Sequence, residues 1–463
     1  MRYVSTRGRA PAVTFKQALV AGLAPDGGLY VPESWPTFSV EEIAAFQGRR
    51  YTDVATAVFE RFVDGEIDET TLRGIVEDAY ATFRHQAVAP LAQIGPNEWI
   101  LELFHGPTLA FKDIAMQVLA RLMEYVLLER GERRTIVGAT SGDTGGAALE
   151  AFKNCSAIDV FFMFPEGRVS DFQRRQMTTL GAANAHAIAI DGSFDDCQAL
   201  VKALFGHDTF KDRVRLSAVN SINWCRIVAQ SVYYFTAAVA LGSPNRPVSF
   251  AVPTGNFGDV FAGFVARRMG LPVKHLIIAT NENDILARTL ATGIHRIGQV
   301  KSTITPAMDI QLPSNFERAL FEVSGRDAPL VTTLMRQLSE GGSYTLPTRL
   351  RTDLAAIFQA GQADRRETIA EMVRLHRASG YECDPHTAVA SHVADEYHDS
   401  TVPMIALGTA HPAKFADTVL NAIGTQPRPP AWAAIPDDRV ETVSHLDGDQ
   451  ARIETFILSK ISH

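Results

Sequence analysis

From about residue 98 onward, short uninterrupted apolar runs alternate with longer stretches whose apolar positions recur every three or four residues. The runs EWILELF (98–104), RTIVGA (134–139), IDVFFMF (158–164), AHAIAI (185–190), PVSFAVP (247–253), VKHLIIAT (273–280) and VPMIALG (402–408) predict buried strands. Between them, KDIAMQVLARLMEYVLLER (112–130) predicts a long amphipathic helix closed by Gly131. GDTGGAALEAFKN (142–154), DCQALVKALF (196–205), FGDVFAGFVARRMG (257–270) and HPAKFADTVLNAI (411–423) predict further helices. This alternation predicts an α/β fold of mostly parallel twisted sheets with helices on both faces. In such sheets ligands bind beyond the carboxyl ends of the strands.

Residues 1–95 read differently. EEIAAF, DVATAVFERFV and ETTLRGIVEDAYATF predict helices, the last capped by Asp68 or Glu69, and GLAPDGGLYVP (22–32) predicts a turn-rich loop before an extended LYV. TTLMRQL (332–338) and AAIFQAGQADRRETIAEMVRLHRAS (355–379) predict helices, and the Pro-rich TQPRPPAWAAIP (425–436) a surface connection before a last short helix. The expected organisation is a small, mainly helical N-terminal domain (1–95), a core of two interleaved α/β subdomains (96–425) and a C-terminal extension (426–463).

With 463 residues, 46% of them hydrophobic, the chain buries a core of more than one structural unit. Its formal charge of -8 argues against binding nucleic-acid backbones. The four cysteines form no CxxC pair and no zinc spacing, so they are expected to be buried free thiols in a reducing compartment, the cytoplasm. MRYVSTRGRAPAV has no apolar run after its basic residues, so no signal peptide is expected. No apolar stretch approaches the roughly 20 residues of a membrane span.

Candidate chemistry gathers at loops that follow predicted strands. Lys112 opens a helix, where the macrodipole favours anions, so its amine is easiest to understand as a neutral nucleophile or a Schiff base. An ordinary solvated lysine is the competing reading. The Gly-, Ser- and Thr-rich loop holding Ser141, Gly142, Asp143 and Thr144 offers backbone N–H groups and hydroxyls to a carboxylate or phosphate; a tight strand-to-helix connection is the alternative. It is neither a Walker A loop nor a GxGxxG fingerprint. Gly255, Asn256, Phe257, Gly258 and Asp259 make a second such cradle, and VPMIALG delivers Thr409 to the same end of the sheet. Asn220, Ser221, Asn223 and Arg226 cluster in NSINWCRI; Arg174 and Arg175 read best as a solvated or ion-paired face, and His386 as a helix cap.

These motifs together resemble the threonine synthase family in its long bacterial and fungal form. The match runs from YVSTRG (3–8) and GLAPDGGLYVP through FHGPTLAFKD, TSGDTGGAA, VSDFQRRQM, NSINWCRI and PTGNFGD to GTAHPAKF (408–415). The resemblance implies a fold type II pyridoxal-phosphate enzyme related to tryptophan synthase β, a carbon–oxygen lyase. Pyridoxal 5′-phosphate would be carried on Lys112, with Gly255, Asn256, Phe257, Gly258 and Asp259 around its phosphate and Thr409 facing its ring nitrogen. Ser141, Gly142, Asp143 and Thr144 would hold the substrate α-carboxylate, and Asn220, Ser221, Asn223 and Arg226 would lie near the substrate phosphate. The implied reaction takes O-phospho-L-homoserine and water to L-threonine and phosphate, with Lys112 as proton shuttle. The alternatives are a related phospho-lyase or dehydratase ending at 2-oxobutyrate, and a non-catalytic paralogue acting as a binding protein. Expected partners are small molecules, with neither nucleic acid nor membrane among them, for a chain acting as a monomer or a dimer.

Overall fold

Two parallel sheets carry the apolar runs of the chain. The computed structural model describes residues 1–461. The larger sheet has six strands in the order Phe358–Gln362, Val273–Thr280, Val248–Pro253, Met404–Gly408, Glu98–Glu102 and Leu91–Gly95. All pair in parallel except Leu91–Gly95, which runs antiparallel at one edge. The smaller sheet has five parallel strands in the order Ser444–Leu446, Ala185–Ile190, Ile158–Pro165, Arg134–Ala139 and Leu216–Ser217. The chain leaves the first sheet after Glu98–Glu102, builds most of the second, and returns at Val248–Pro253.

Both faces of both sheets are covered, which is why the strands read as continuous apolar runs. Along the larger sheet, Phe250, Val252, Leu276 and Ile278 pack with the helices Trp224–Ala240 and Gly258–Arg268, while Ala251, Ile277 and Ala279 pack with Val389 and Val393 of Pro385–Asp395. On the smaller sheet, Ile136, Val160 and Phe162 share a cluster with Asp143–Phe152, whereas Phe161, Met163 and Ile188 face Cys197, Leu200, Ile453 and Ile457. The last two belong to the terminal helix Gln450–Lys460, so the C-terminal tail completes the outer layer of the smaller sheet.

The helix Lys112–Arg130 has the bounds its pattern predicts, with Gly131 left-handed at φ 61 as its cap. In the N-terminal region Asp68 caps Glu69–Tyr80 by accepting from the Thr71 amide at 2.9 Å. Trp224–Ala240 escaped sequence reading because it is buried on all sides and shows no polar face. The helical reading of 355–379 needs correction. Phe358–Gln362 is an edge strand paired with Val273–Thr280, and the helix begins only at Arg365. Its start is fixed by a capping box in which Asp364 accepts from the Glu367 amide and Glu367 from the Asp364 amide, both at 2.8 Å. Among the described residues no helix is long and apolar enough to cross a membrane. All four cysteines are buried and unpaired.

Candidate active site

Five loops that leave the carboxyl ends of strands from both sheets meet around Lys112. The first follows Glu98–Glu102. Asp113 accepts from the Thr108 amide at 2.8 Å and from the Thr108 hydroxyl at 2.7 Å, which folds residues 106–108 back over the start of the helix. Lys112 is thereby fixed in a buried position, its nitrogen 3.7 Å from an Asp143 oxygen. Burial lowers its pKa, and the nearby Arg226 and Lys414 charges lower it further against the opposing pull of Asp143. The competing reading of a solvated lysine is therefore set aside by its surroundings.

The second loop follows Arg134–Ala139. The Thr140 hydroxyl accepts from the amides of Gly142 and Gly145, each at 2.9 Å, and so shapes the turn. The first-turn amides of Asp143 and Thr144 remain for a ligand, beside the half-buried hydroxyls of Ser141 and Thr144. Gly142 sits at φ 142, and a Cβ there would lie 2.6 Å from the Gln173 side chain. That close approach is needed because the Gln173 amide donates to Asp143 at 2.8 Å. Burial alone would raise the Asp143 pKa. Lys414 at 3.1 Å, Lys112 and Gln173 outweigh it and hold the carboxyl well below its usual range.

The third loop follows Val248–Pro253. Phe257 is left-handed at φ 64 and its ring packs into the core against Phe316 and Phe358, so this residue offers the site its backbone. The Asn256 carbonyl accepts from the backbone and side-chain amides of Asn315, both at 3.1 Å. Asp259 turns one carboxylate oxygen to the hydroxyls of Tyr233 and Tyr234, while its other oxygen is buried without a partner among the described residues. Burial pushes the Asp259 pKa up from 3.8 to about 6, against the tyrosine hydrogen bonds and the Lys112 charge.

Such a group keeps its proton to higher pH in the native than in the unfolded state. Its contribution to stability is full below about pH 4 and is lost as pH rises to about 6, on the order of 2–3 kcal/mol. Asp259→Asn is expected to escape that loss, since its carbonyl still accepts from both tyrosines. In urea melts of cofactor-free protein the variant should gain on the wild type between pH 4 and 6 and hold the gain above; parallel curves would contradict it.

The Ser221 carbonyl accepts from the Asn315 side chain at 3.1 Å, which brings the NSIN loop against the GNFG loop. Of the residues expected there, Arg226 is buried, donates to the Val219 carbonyl at 3.3 Å, and keeps its Nε without a partner among the described residues. Burial lowers its pKa to about 10. Asn220 is exposed. Asn223 serves the fold with both ends of its amide, accepting from the Cys225 amide at 3.0 Å and donating to the Leu19 carbonyl at 2.9 Å. Thr409 is buried after Met404–Gly408, and its carbonyl accepts from the Phe111 amide at 2.9 Å, next to Lys112.

Sequence reading missed Lys414, Gln173, Gln176, Asn315 and the tyrosine pair. Lys414, Gln173 and Gln176 lie inside quoted motifs, but nothing in a motif tells a buried amine or amide from an exposed one. Arg174 and Arg175 are ion-paired as expected, to Glu441 and Asp437, and tie the helix Asp171–Thr178 to the C-terminal tail. His386 does not cap: Asp384 caps Pro385–Asp395, and His386 is buried with Nδ1 2.8 Å from Asp384.

The cleft holds three buried basic groups, Lys112, Lys414 and Arg226, and three buried carboxyls, of which Asp143 is held ionised while burial raises Asp259 to about 6 and Asp113 to about 7. A buried amine of lowered pKa suits an aldehyde, and spare guanidinium and helix-start donors suit phosphate. Pyridoxal 5′-phosphate, with both groups, fits these residues.

Comparison with known proteins agrees. Residues 84–403 match the family model described as pyridoxal-phosphate dependent enzyme. Residues 2–80 match the threonine synthase N terminus, and residues 387–457 the threonine synthase C-terminal model. A threonine synthase of Pseudomonas aeruginosa is 49% identical, over 99% of this chain and 98% of the relative. The crystal structure of a pyridoxal-phosphate-bound threonine synthase from Brucella melitensis superposes with a TM-score of 0.98 at 53% identity, covering 99% of each chain. The yeast threonine synthase structure gives 0.93 at 35% identity, over 99% of this chain and 98% of that one. A buried lysine amine of lowered pKa, two glycine-rich loops at strand ends with spare helix-start amides and matching relatives along its whole length all converge: this chain belongs to the threonine synthase family of pyridoxal-phosphate-dependent lyases.

Proposed function

We propose that the chain converts O-phospho-L-homoserine and water to L-threonine and phosphate, with pyridoxal 5′-phosphate held on Lys112. The observation that carries this reading is the buried amine of Lys112, its pKa lowered by burial, beside the buried basic groups Arg226 and Lys414, since both cofactor and substrate bring a phosphate. Bound pyridoxal phosphate supplies an electron sink that acidifies the protons of the amino-acid skeleton.

The residues of this chain do the rest. Amides of Gly255, Asn256, Phe257 and Gly258 would hold the cofactor phosphate, with Asp259 behind them. Thr409 would offer the ring nitrogen a hydroxyl, a neutral partner that would restrain the sink. Ser141, Gly142, Asp143 and Thr144 bind the substrate α-carboxylate through first-turn amides and hydroxyls. Arg226, with Asn220 and Ser221 beside it, draws the substrate phosphate to the far end of the cleft, and Asn223 orients that loop through its cap. The Lys112 amine would take one proton from Cα and one from Cβ as the bond from Cγ to the phosphate oxygen breaks, and return protons to Cγ, which becomes the methyl group, and to Cα as water adds its hydroxyl at Cβ and its proton goes to the departing phosphate. A lowered Lys112 pKa is what this shuttle needs at neutral pH. A cytoplasmic location fits the four buried thiols, whose pKa values burial pushes up.

The test is to load purified protein with pyridoxal 5′-phosphate, add O-phospho-L-homoserine, and assay phosphate and threonine together. Equal amounts are expected. Phosphate accompanied by 2-oxobutyrate, or no phosphate from a loaded protein, would contradict the reading.

A further inference from the structure

Lys414 is the most completely buried charged side chain of the cleft, with 0% of its side chain exposed. Its amine donates to the Thr108 carbonyl at 2.6 Å and to the Gln176 side-chain oxygen at 2.8 Å, and it lies 3.1 Å from Asp143. Three acceptors, one of them a carboxylate, match the three donors of an ammonium group. Those acceptors come from three places. Thr108 stands in the loop that sets Lys112, Asp143 in the loop after Arg134–Ala139, and Gln176 on the helix Asp171–Thr178. Lys414 itself follows the strand Met404–Gly408 of the larger sheet, as Thr108 follows Glu98–Glu102. The Gln176 side-chain nitrogen also donates to the Thr108 carbonyl, at 3.1 Å.

We infer that Lys414 is a positioning residue of the reaction, whose ammonium holds Asp143 and joins the loop before Lys112 to the loop opposite it. The inference rests on the reading of Lys112 as the cofactor lysine. Two buried lysines share Asp143, and they are placed for different work. Lys414 has two hydrogen bonds and a 3.1 Å ion pair to Asp143, whereas Lys112 stands 3.7 Å from Asp143, its one acidic neighbour within ion-pair reach among the described residues. With Lys414 as its fixed counter-charge, Asp143 does not depend on a protonated Lys112. Charged groups that act on Lys112 are Asp143 and Asp259, which favour its ammonium, and Arg226 and Lys414, which oppose it. Without Lys414, Lys112 is the one lysine left to balance Asp143 beside the neutral Gln173 amide, and the neutral amine forms only at higher pH.

The test removes cofactor from the holoenzyme, adds back pyridoxal 5′-phosphate across a pH series, and follows the visible Schiff-base band. Lys414→Met is expected to move the midpoint of band formation up by about one pH unit. Gln176→Met keeps both lysines but slackens one tie. It is expected to lower kcat/KM several-fold with the midpoint unmoved, and this variant decides the matter if Lys414→Met does not fold. An unmoved midpoint in folded Lys414→Met, or wild-type kcat/KM in Gln176→Met, would overturn the inference. Lys112→Ala is carried alongside: a Schiff-base band that survives in it would instead overturn the assignment of the cofactor lysine, whatever Lys414 does.

Discussion

Lys112→Ala is expected to lose turnover by at least about a thousandfold while keeping its fold. The amine has two tasks in this account, covalent attachment of the cofactor and transfer of protons at Cα and Cβ, and no neighbouring group can take over both. Lys414 is the nearest candidate, but its three donors are engaged by Thr108, Gln176 and Asp143. The fold should tolerate the change. Asp143 retains Lys414 and the Gln173 amide, so truncation leaves no buried carboxylate without a partner. A stability change of no more than about 2 kcal/mol is expected, read from urea melts beside the activity. Activity near the wild-type level would contradict the mechanism, and a variant that fails to fold would contradict the structural part of the argument.

Gly255→Ala carries the second large effect, and for a different reason. A Cβ at Gly255 would stand 2.5 Å from the carbonyl oxygen of Ala307 and 3.3 Å from an Ile310 carbon. The obstacle is backbone, and it is pinned. Asn281 donates to the hydroxyls of Thr303 and Thr305 and to Asp309 at 2.8–2.9 Å, while Asp309 accepts from the Thr303 amide at 2.9 Å. Since the 303–309 turn cannot easily retreat, the cradle must open. Weakening of cofactor binding by at least about tenfold is expected, roughly 1.4 kcal/mol, in a titration followed by the visible band. Gly258→Ala is the matched control. Its nearest obstacle is the Asn315 side chain at 3.3 Å, which a small shift relieves, so its effect should be much milder. Equal losses in the two variants would show that the cradle does not act through close backbone approach.

The strands and the helix after Lys112 were legible because parallel strands covered on both faces leave uninterrupted apolar runs, and glycine marks where the connections turn. The helical reading of 355–379 failed where an edge strand, FQAGQ, has too few apolar positions to stand out, although DRRE carried a capping-box signal. The loops of the site were legible from their glycines and hydroxyl side chains between a strand and a helix. Their partners were not, because they act through burial. Asn315 ties two loops more than 30 residues apart in sequence, Lys414 reaches Thr108 across 306 positions, and the tyrosines that engage Asp259 sit within a helix buried on all sides. Conversely, Asn223 carried a motif-level expectation of ligand contact, yet its amide is engaged by Cys225 and Leu19. Spacing along a chain identifies which loops face a site more readily than which side chains do.

The central claim is that Lys112, and not its buried neighbour Lys414, carries the cofactor. Borohydride reduction of the loaded protein, followed by proteolysis and mass spectrometry of the peptides, tests it directly. A single phosphopyridoxyl group on the peptide containing Lys112 is the expected result; the group on Lys414, or on any other lysine, would contradict the account.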